Sequence, residues 1–499
     1  MHYVSLLIEF LRGRPRFVFW SVTLAQAALW LLVPSLTYSS PPGDVSTSLA
    51  IGHELLLGSE RGPPLAFWLA EGAFRIGGIV GVYALAQICI VLTYYAVFAL
   101  GRAIVGTRHA VLAVLLMVGI SAFTVPSPTF GPAVLAAPFW ALSLLYFWRA
   151  VGERSYGAWF PLAVTLGLLL LSSEAGVILL ALMILFTLAA PNGRRALKRA
   201  EPWMAGLLLA IVVMPYALWA ARNQPAMLAS VLGAAPPTGR AGVRVAGIVA
   251  ATHLGMLLLL ALVSGFPRNK KQRAPEIDRT MPAGRLAKTY VYTFALAPLL
   301  MAVGAAFAFE RTGPFARVTP LVVLSGLAVM VLAGDRVRLF RERVVSTAWL
   351  GILLIPPALV AFSALLMPWV TRTELATAQP VRAEAAFFSD AFSKRTGKPL
   401  TYIAGDSQLA PMIALAAPAR PHVYFDWAPE QSPWTTAEDL KRNGGVLVWP
   451  APGTLRNPPP QLAAQFPGLV PEVPQTFERP VRGILPPVRI GWAVIRPAQ

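Results

Sequence analysis

Apolar residues fall into long runs along the first three quarters of the chain and into short alternating segments near its end. Runs of membrane-spanning length, broken by charge, proline and glycine, lie at 17–36, 77–100, 109–125, 131–148, 158–171, 175–190, 203–220, 245–263, 289–309, 318–333 and 346–370, about eleven in all. Only Ser172-Ser173-Glu174 separates the runs at 158–171 and 175–190; reading them as two spans keeps the later basic loops on one side. After residue 370 the pattern changes. Short strand-like segments at 400–404, 422–425, 446–449 and 488–495 alternate with helical stretches at 381–395, 407–415 and 436–442, which predicts a small α/β domain. The expected organisation is a polytopic α-helical membrane domain over residues 1–370, with a long first loop at 37–76, followed by an α/β domain over 371–499.

Composition agrees with this division and excludes a soluble enzyme. Of 499 residues 56% are hydrophobic and only 13% charged, more apolar than a soluble core of this size needs. The net charge of +19 comes from short basic clusters between spans, not from one face or tail, so nucleic acid is not an expected partner. Alternate loops hold about 22 Lys and Arg against roughly seven in the others, which places the N-terminus in the cytoplasm. An odd number of spans then places the α/β domain outside it. Residues 1–16 lead into the first span without a small-residue cleavage site, and are read as an amphipathic lead-in rather than a signal peptide. The single cysteine, Cys89, lies in an apolar run and offers neither a disulfide framework nor a Cys-based metal site.

The chemistry is then expected on the outer side, where loop 37–76 carries Asp44, His53, Glu54, Glu60, Arg61, Glu71 and Arg75. Asp44 precedes a helix expected at 45–57, where it would cap free backbone donors and remain a well-oriented carboxylate. His53 and Glu54 fit the polar face of that helix, while Glu60 and Arg61 stand just ahead of Pro63-Pro64, a pair suited to starting the next one. Arginines expected to face outward, Arg61, Arg75, Arg222, Arg240, Arg244, Arg311 and Arg317, could grip a phosphate through two donors or anchor to head groups. Glu174, at a tight outer turn, and His253, inside the eighth span, are ionisable residues at membrane depth, a class commonly functional. No glycine-rich phosphate loop occurs. Asp44, Glu54 and Glu60 could ligate a hard divalent cation, but their spacing does not demand one, and no cofactor is expected.

Three segments together resemble the GT-C glycosyltransferases, in particular glycosyltransferase family 39, which includes protein O-mannosyltransferases and aminoarabinose transferases. They are residues 58–68, with Glu60, Pro63-Pro64 and Trp68; Phe139-Trp140-Ala141-Leu142 with Trp148-Arg149-Ala150; and Pro202-Trp203 through Pro215 and Trp219. The resemblance is best over residues 1–220. It implies a bacterial inner-membrane enzyme that takes a sugar from a polyprenyl-phosphate donor and passes it, with inversion, to a periplasmic acceptor: lipid A or lipopolysaccharide, another glycolipid, or a protein. Asp44 would be the general base or would orient the acceptor, Glu60 the second acid, and Arg61, His53, Glu54, Arg75, Glu174, Arg222 and His253 substrate-binding residues. The chain departs from the family pattern at several points: Glu60 stands one position early, Gly62 replaces the histidine before Pro-Pro, Val45 replaces a second acid, and Thr129 stands where relatives carry an Asp. A transporter, flippase or non-catalytic envelope-assembly protein is the competing class. Concentration of ionisable groups at one outer face, rather than at mid-membrane, favours the transferase.

Overall fold

The computed structural model describes residues 9–59, 61–223, 239–264, 276–279, 282–310, 312, 317–338, 342–371, 373–428, 431–451, 458–481 and 483–498. It separates into two compact units, one formed by residues 1–32 and 83–358, the other by residues 33–82 and 359–499.

The first unit is helical. Among the described residues of the whole chain, six helices are long and apolar enough to cross a membrane: Pro15–Thr37, Leu65–Val105, Pro132–Val151, Glu201–Arg222, Arg285–Phe309 and Arg343–Val370. A seventh is possible if Arg240–Thr252 and Leu254–Val263, bent by 50° at His253, count as one. Four other apolar runs of the sequence fold as shorter helices: Thr107–Met117 with 11 residues, Trp159–Leu170 with 12, Gly176–Ala189 with 14 and Ser325–Leu332 with 8. At 1.5 Å per residue even the longest spans about 21 Å, short of the hydrocarbon thickness.

Aromatic packing and a few satisfied polar groups hold this unit together. Phe147, Phe186, Tyr290 and Phe294 form a cluster with ring centroids 4.8 to 6.0 Å apart. The buried Tyr290 hydroxyl donates to the Leu144 carbonyl at 2.6 Å. Gln26, also buried, donates to Tyr94 Oη at 3.0 Å and to the Phe123 carbonyl at 2.9 Å. Such groups must find partners inside the protein, since hydrocarbon offers none. A two-stranded antiparallel ribbon, β1 (Glu276–Asp278) and β2 (Arg336–Arg338), belongs to the same unit.

The second unit is built on a mixed five-stranded sheet of β3 (Tyr402–Gly405), β4 (His422–Phe425), β5 (Gly445–Pro450), β6 (Gln475–Phe477) and β7 (Val488–Ile495), in the order β4-β3-β5-β7-β6. β3 runs parallel to β4 and β5, while β7 is antiparallel to β5 and β6. Side chains alternate strictly. Ile403, Val423, Phe425, Val446 and Val448 pack on one face against Phe388, Phe392, Leu409 and Ile413 of helices Val381–Thr396 and Leu409–Ala416; Ala404, Tyr424, Leu447 and Trp449 pack on the other against Leu440, Leu462 and Phe466. Helix Ala437–Asn443 starts with a reciprocal capping box: Thr436 Oγ1 accepts from the Asp439 amide and Asp439 Oδ2 from the Thr436 amide.

The first loop is part of this unit. Ile51 and Phe67 are buried in the first of those two core clusters, and helix Gly43–His53 packs on Leu409–Ala416. A Cβ on Gly52 would stand 2.3 Å from the Phe67 carbonyl oxygen, so only glycine lets helix Gly43–His53 approach the backbone of the next helix here. That next helix, Leu65–Val105, breaks at Gly77 and Gly78, where Gly78 takes φ +58.

Glu384, in the first turn of Val381–Thr396, is fully buried, and neither carboxylate oxygen has a hydrogen-bond partner among the described residues. Burial raises its pKa to about 7, and the charge of Arg479 only partly offsets the rise. Between the unfolded value near 4.5 and this folded one the native state holds more protons, so stability falls as pH rises through that window and stays low above it. Detergent-solubilised wild type is expected to lose roughly 2–3 kcal/mol of unfolding free energy between pH 5 and pH 8 from this group. In Glu384→Gln, denaturant unfolding should show that slope largely abolished.

Candidate functional site

The ionisable residues of the first loop come together with residues from the far end of the chain. Ser40 ties the start of the loop: its Oγ donates to the Ala376 carbonyl at 2.6 Å and accepts from the Gln379 amide at 3.2 Å. Helix Gly43–His53 follows with Pro42, not Asp44, at the cap. Asp44 therefore lies within the first turn, and its side chain caps nothing. The helix starts two residues earlier than the sequence predicts, because Pro42 at the cap is followed by glycine, which accepts the first helical position without cost to a side chain. Asp44 is exposed, with no hydrogen bond to its carboxylate among the described residues.

Beside it, Thr47 Oγ1 donates to the Ser407 carbonyl at 3.2 Å, and a Cβ on Gly43 would lie 3.9 Å from Gln408. The start of this helix thus meets the loop that leaves the C-terminal end of β3. That loop is held by two acids: Asp406 Oδ1 accepts from the amides of Gln408 and Leu409, and Asp426 Oδ1 accepts from the Ser407 amide at 2.8 Å. Asp426 and Trp427 both take positive φ, +47 and +59, as β4 ends. Arg61 reaches the same region. Its guanidinium lies 5.3 Å over the Phe425 ring and makes a long 3.4 Å bond to Gln431 Oε1, its one side-chain hydrogen bond among the described residues. Residues Ser59 and Gly62 pair across this turn, with Gly62 at φ +134; Glu60, between them and Asp44's counterpart in the sequence reading, lies outside the described residues.

The other end of helix Gly43–His53 holds a charged network. Glu71 is only 2% exposed, and Arg420 grips it with two donors at 3.0 and 3.4 Å while Arg75 Nε donates at 2.8 Å. The Arg420 guanidinium also lies 4.7 Å over the Phe74 ring. His53 Nδ1 stands 3.6 Å from Glu71, and Glu54 meets His422 Nδ1 at 2.7 Å. The hydrogen bond to Glu54 holds the His422 pKa above its ordinary value, against the opposing effect of burial. Glu54 and Glu71 thus join the first loop to His422 and Arg420, with Arg75 and His53 beside Glu71, whereas Asp44 accepts no hydrogen bond among the described residues.

Three further candidates lie in the first unit. Glu174 sits between helices Trp159–Leu170 and Gly176–Ala189 with a buried Oε1 that has no partner among the described residues. Arg222 is exposed in the last turn of Glu201–Asn223, where a cation suits the helix end. His253 occupies the 50° bend, its Nδ1 donating to the Val249 carbonyl at 2.7 Å and its Nε2 2.9 Å from Ser325 Oγ. Glu71, Arg420 and His422 are the residues that sequence reasoning did not select. Glu71 was visible as one more acid in a charged loop; Arg420 and His422 follow a Pro-rich turn at the start of a predicted strand, with no local sign of partners more than 300 residues away. Among the described residues no group of three or more His, Cys, Asp or Glu is placed to hold a metal ion.

Replacing Arg420 would leave the buried Glu71 carboxylate with Arg75 and, at 3.6 Å, His53. Arg420→Ala is expected to destabilise the protein by about 3 kcal/mol, and Glu71→Met combined with Arg420→Met to recover part of that loss, a coupling readable in a double-mutant cycle.

A family model described as dolichyl-phosphate-mannose-protein mannosyltransferase matches residues 61–219. No curated protein sequence matches the chain. The fold is similar to that of ArnT from Cupriavidus metallidurans, both bound to undecaprenyl phosphate and in the apo state. TM-scores are 0.61 and 0.57 at 12% and 14% identity, with 97% of this chain and 99% of the other covered in each case. This is a multi-pass membrane protein of the GT-C glycosyltransferase fold, matched by that fold over nearly its whole length and by the family model over residues 61–219.

Proposed function

We propose that the protein is a bacterial inner-membrane glycosyltransferase that moves a sugar from a polyprenyl-phosphate donor to an envelope acceptor at the periplasmic face. The observation that carries this reading is the coincidence of an ArnT-like fold along 97% of the chain with an exposed, uncommitted carboxylate, Asp44, at the start of the first loop. The ArnT structure is bound to undecaprenyl phosphate, and a donor of that class suits this chain. With the apolar runs of the sequence read as eleven crossings and the basic loops on the cytoplasmic side, the N-terminus faces the cytoplasm and residues after 370 face the periplasm.

The reaction is a single displacement with inversion. An acceptor hydroxyl attacks the anomeric carbon as the bond from that carbon to the phosphate oxygen breaks; the hydroxyl proton passes to the Asp44 carboxylate and the polyprenyl phosphate leaves as the anion. Asp44 suits the base because it is exposed and no group among the described residues holds its oxygens. Arg61, with a single long hydrogen bond among the described residues, suits the developing phosphate charge. Glu60 is the second acid of the proposed pair. His53, Glu54 and Arg75 act by shaping the loop, and Glu174, Arg222 and His253 are donor-side candidates. The acceptor is a glycolipid such as lipid A or lipopolysaccharide, or a protein.

Sugar transfer from a labelled polyprenyl-phosphate donor, measured in membranes with equal amounts of inserted protein, tests the base. Asp44→Asn is expected to lower the rate by at least about a hundredfold. Transfer at the wild-type rate would remove Asp44 from the mechanism, and no transfer by either protein across a donor panel would favour a transporter or an assembly protein.

A further inference from the structure

The first unit contains a groove of about 490 Å³ lined by Phe147, Trp159, Leu166, Met183, Trp203 and Gly206 among other apolar residues. Its lone hydroxyl, Thr187, is spent on the Met183 carbonyl at 2.7 Å, so the walls have no side-chain hydroxyl left for a sugar or a head group. Hydrocarbon is what such a surface accepts.

One end of the groove is strongly basic. Leu197, which lines it, stands in a turn with Arg194, Arg195, Lys198 and Arg199, all exposed. Arg199 is committed, with its guanidinium 3.8 Å over the Tyr156 ring and 3.9 Å from Glu201. Arg154 donates to Asn192 at 3.0 Å and has Glu153 next to it in sequence. Arg194, Arg195 and Lys198 have no acidic partner among the described residues. Trp203, 67% exposed at the same rim, donates its indole N–H to the Leu197 carbonyl at 2.9 Å, the placement of an aromatic residue at a membrane interface. Trp159 keeps a buried indole N–H with no acceptor among the described residues.

We propose that this groove binds one anionic diacyl phospholipid from the leaflet on the arginine-rich side, with an acyl chain between helices Trp159–Leu170, Gly176–Ala189 and Glu201–Asn223 and its phosphate on Arg194, Arg195 and Lys198. A basic rim above an apolar slot between helices is the arrangement that selects lipids by head-group charge. The site is independent of the proposed transfer chemistry. It involves none of the first-loop residues, and a zwitterionic lipid, which carries no net charge to meet three cations, fits it less well.

Native mass spectrometry of the full-length protein in detergent, titrated with dioleoyl phosphatidylglycerol or dioleoyl phosphatidylcholine, tests this. The anionic lipid is expected to bind roughly tenfold to a hundredfold more tightly. Arg194→Ala/Arg195→Ala/Lys198→Ala should bring the two lipids level, while Arg194→Lys/Arg195→Lys should keep the preference. Gly206→Phe, at a position where a Cβ would meet nothing within 4 Å, should weaken binding of both by filling the slot. Equal affinity of wild type for the two lipids, or a preference that survives the triple alanine variant, would overturn the proposal. Displacement of the bound phosphatidylglycerol by an equimolar polyprenyl phosphate would overturn it as well, by giving the groove to a donor lipid.

Discussion

A carboxylate almost wholly removed from water has to be met by cations, and Glu71 is met by two, from opposite ends of the chain. Arg75 comes from the same helix, one turn on, while Arg420 comes from the turn before β4. Alone, neither desolvated charge would be tolerable; together they make a buried network that is satisfied only when the first loop lies on the sheet. Apolar burial acts in the same direction, because Ile51 and Phe67 complete a core otherwise made by residues beyond 384. The position of helix Gly43–His53 follows from these two constraints. At one end it is fixed by Glu54, His53 and Gly52, and at the other it delivers Asp44, still exposed, to the loop after β3.

This division of labour explains why so many ionisable groups occupy one short segment. Most of them are structural. His53, Glu54, Glu71 and Arg75 are consumed in holding the loop, and their partners are protein groups at hydrogen-bond or near hydrogen-bond distance. Asp44 and Arg61 are different: among the described residues one accepts no hydrogen bond and the other makes a single long one. A group that the fold leaves uncommitted is the kind that can respond to a substrate.

Much of the local structure was legible in the sequence. The strand His422–Phe425 and the strand Val488–Ile495 have the bounds that alternation predicts, and helix Val381–Thr396 ends one residue beyond its expected limit. Apolar length was a poorer guide, since a run of hydrophobic residues does not state how many of them are helical: the run at 318–333 yields only the eight-residue helix Ser325–Leu332, preceded by turns. The start of the first-loop helix was misjudged for a related reason. Asp44 is a good cap by residue type, yet Pro42 and Gly43 allow the helix to begin before it. The charged network was beyond reach, because Arg420 and His422 carry no local mark of distant partners. Only the fold shows that the acids of the first loop are paired with them.

The central claim is that the first loop and the sheet stand or fall as one cooperative unit around Glu71. Hydrogen exchange read by mass spectrometry on the detergent-solubilised protein, wild type against Arg420→Ala, tests it most directly. Faster exchange is expected to emerge together in peptides covering Gly43–His53 and those covering Leu409–Ala416 and β4, hundreds of residues apart. Faster exchange confined to the few residues around position 420, with Gly43–His53 as protected as in wild type, would contradict the account.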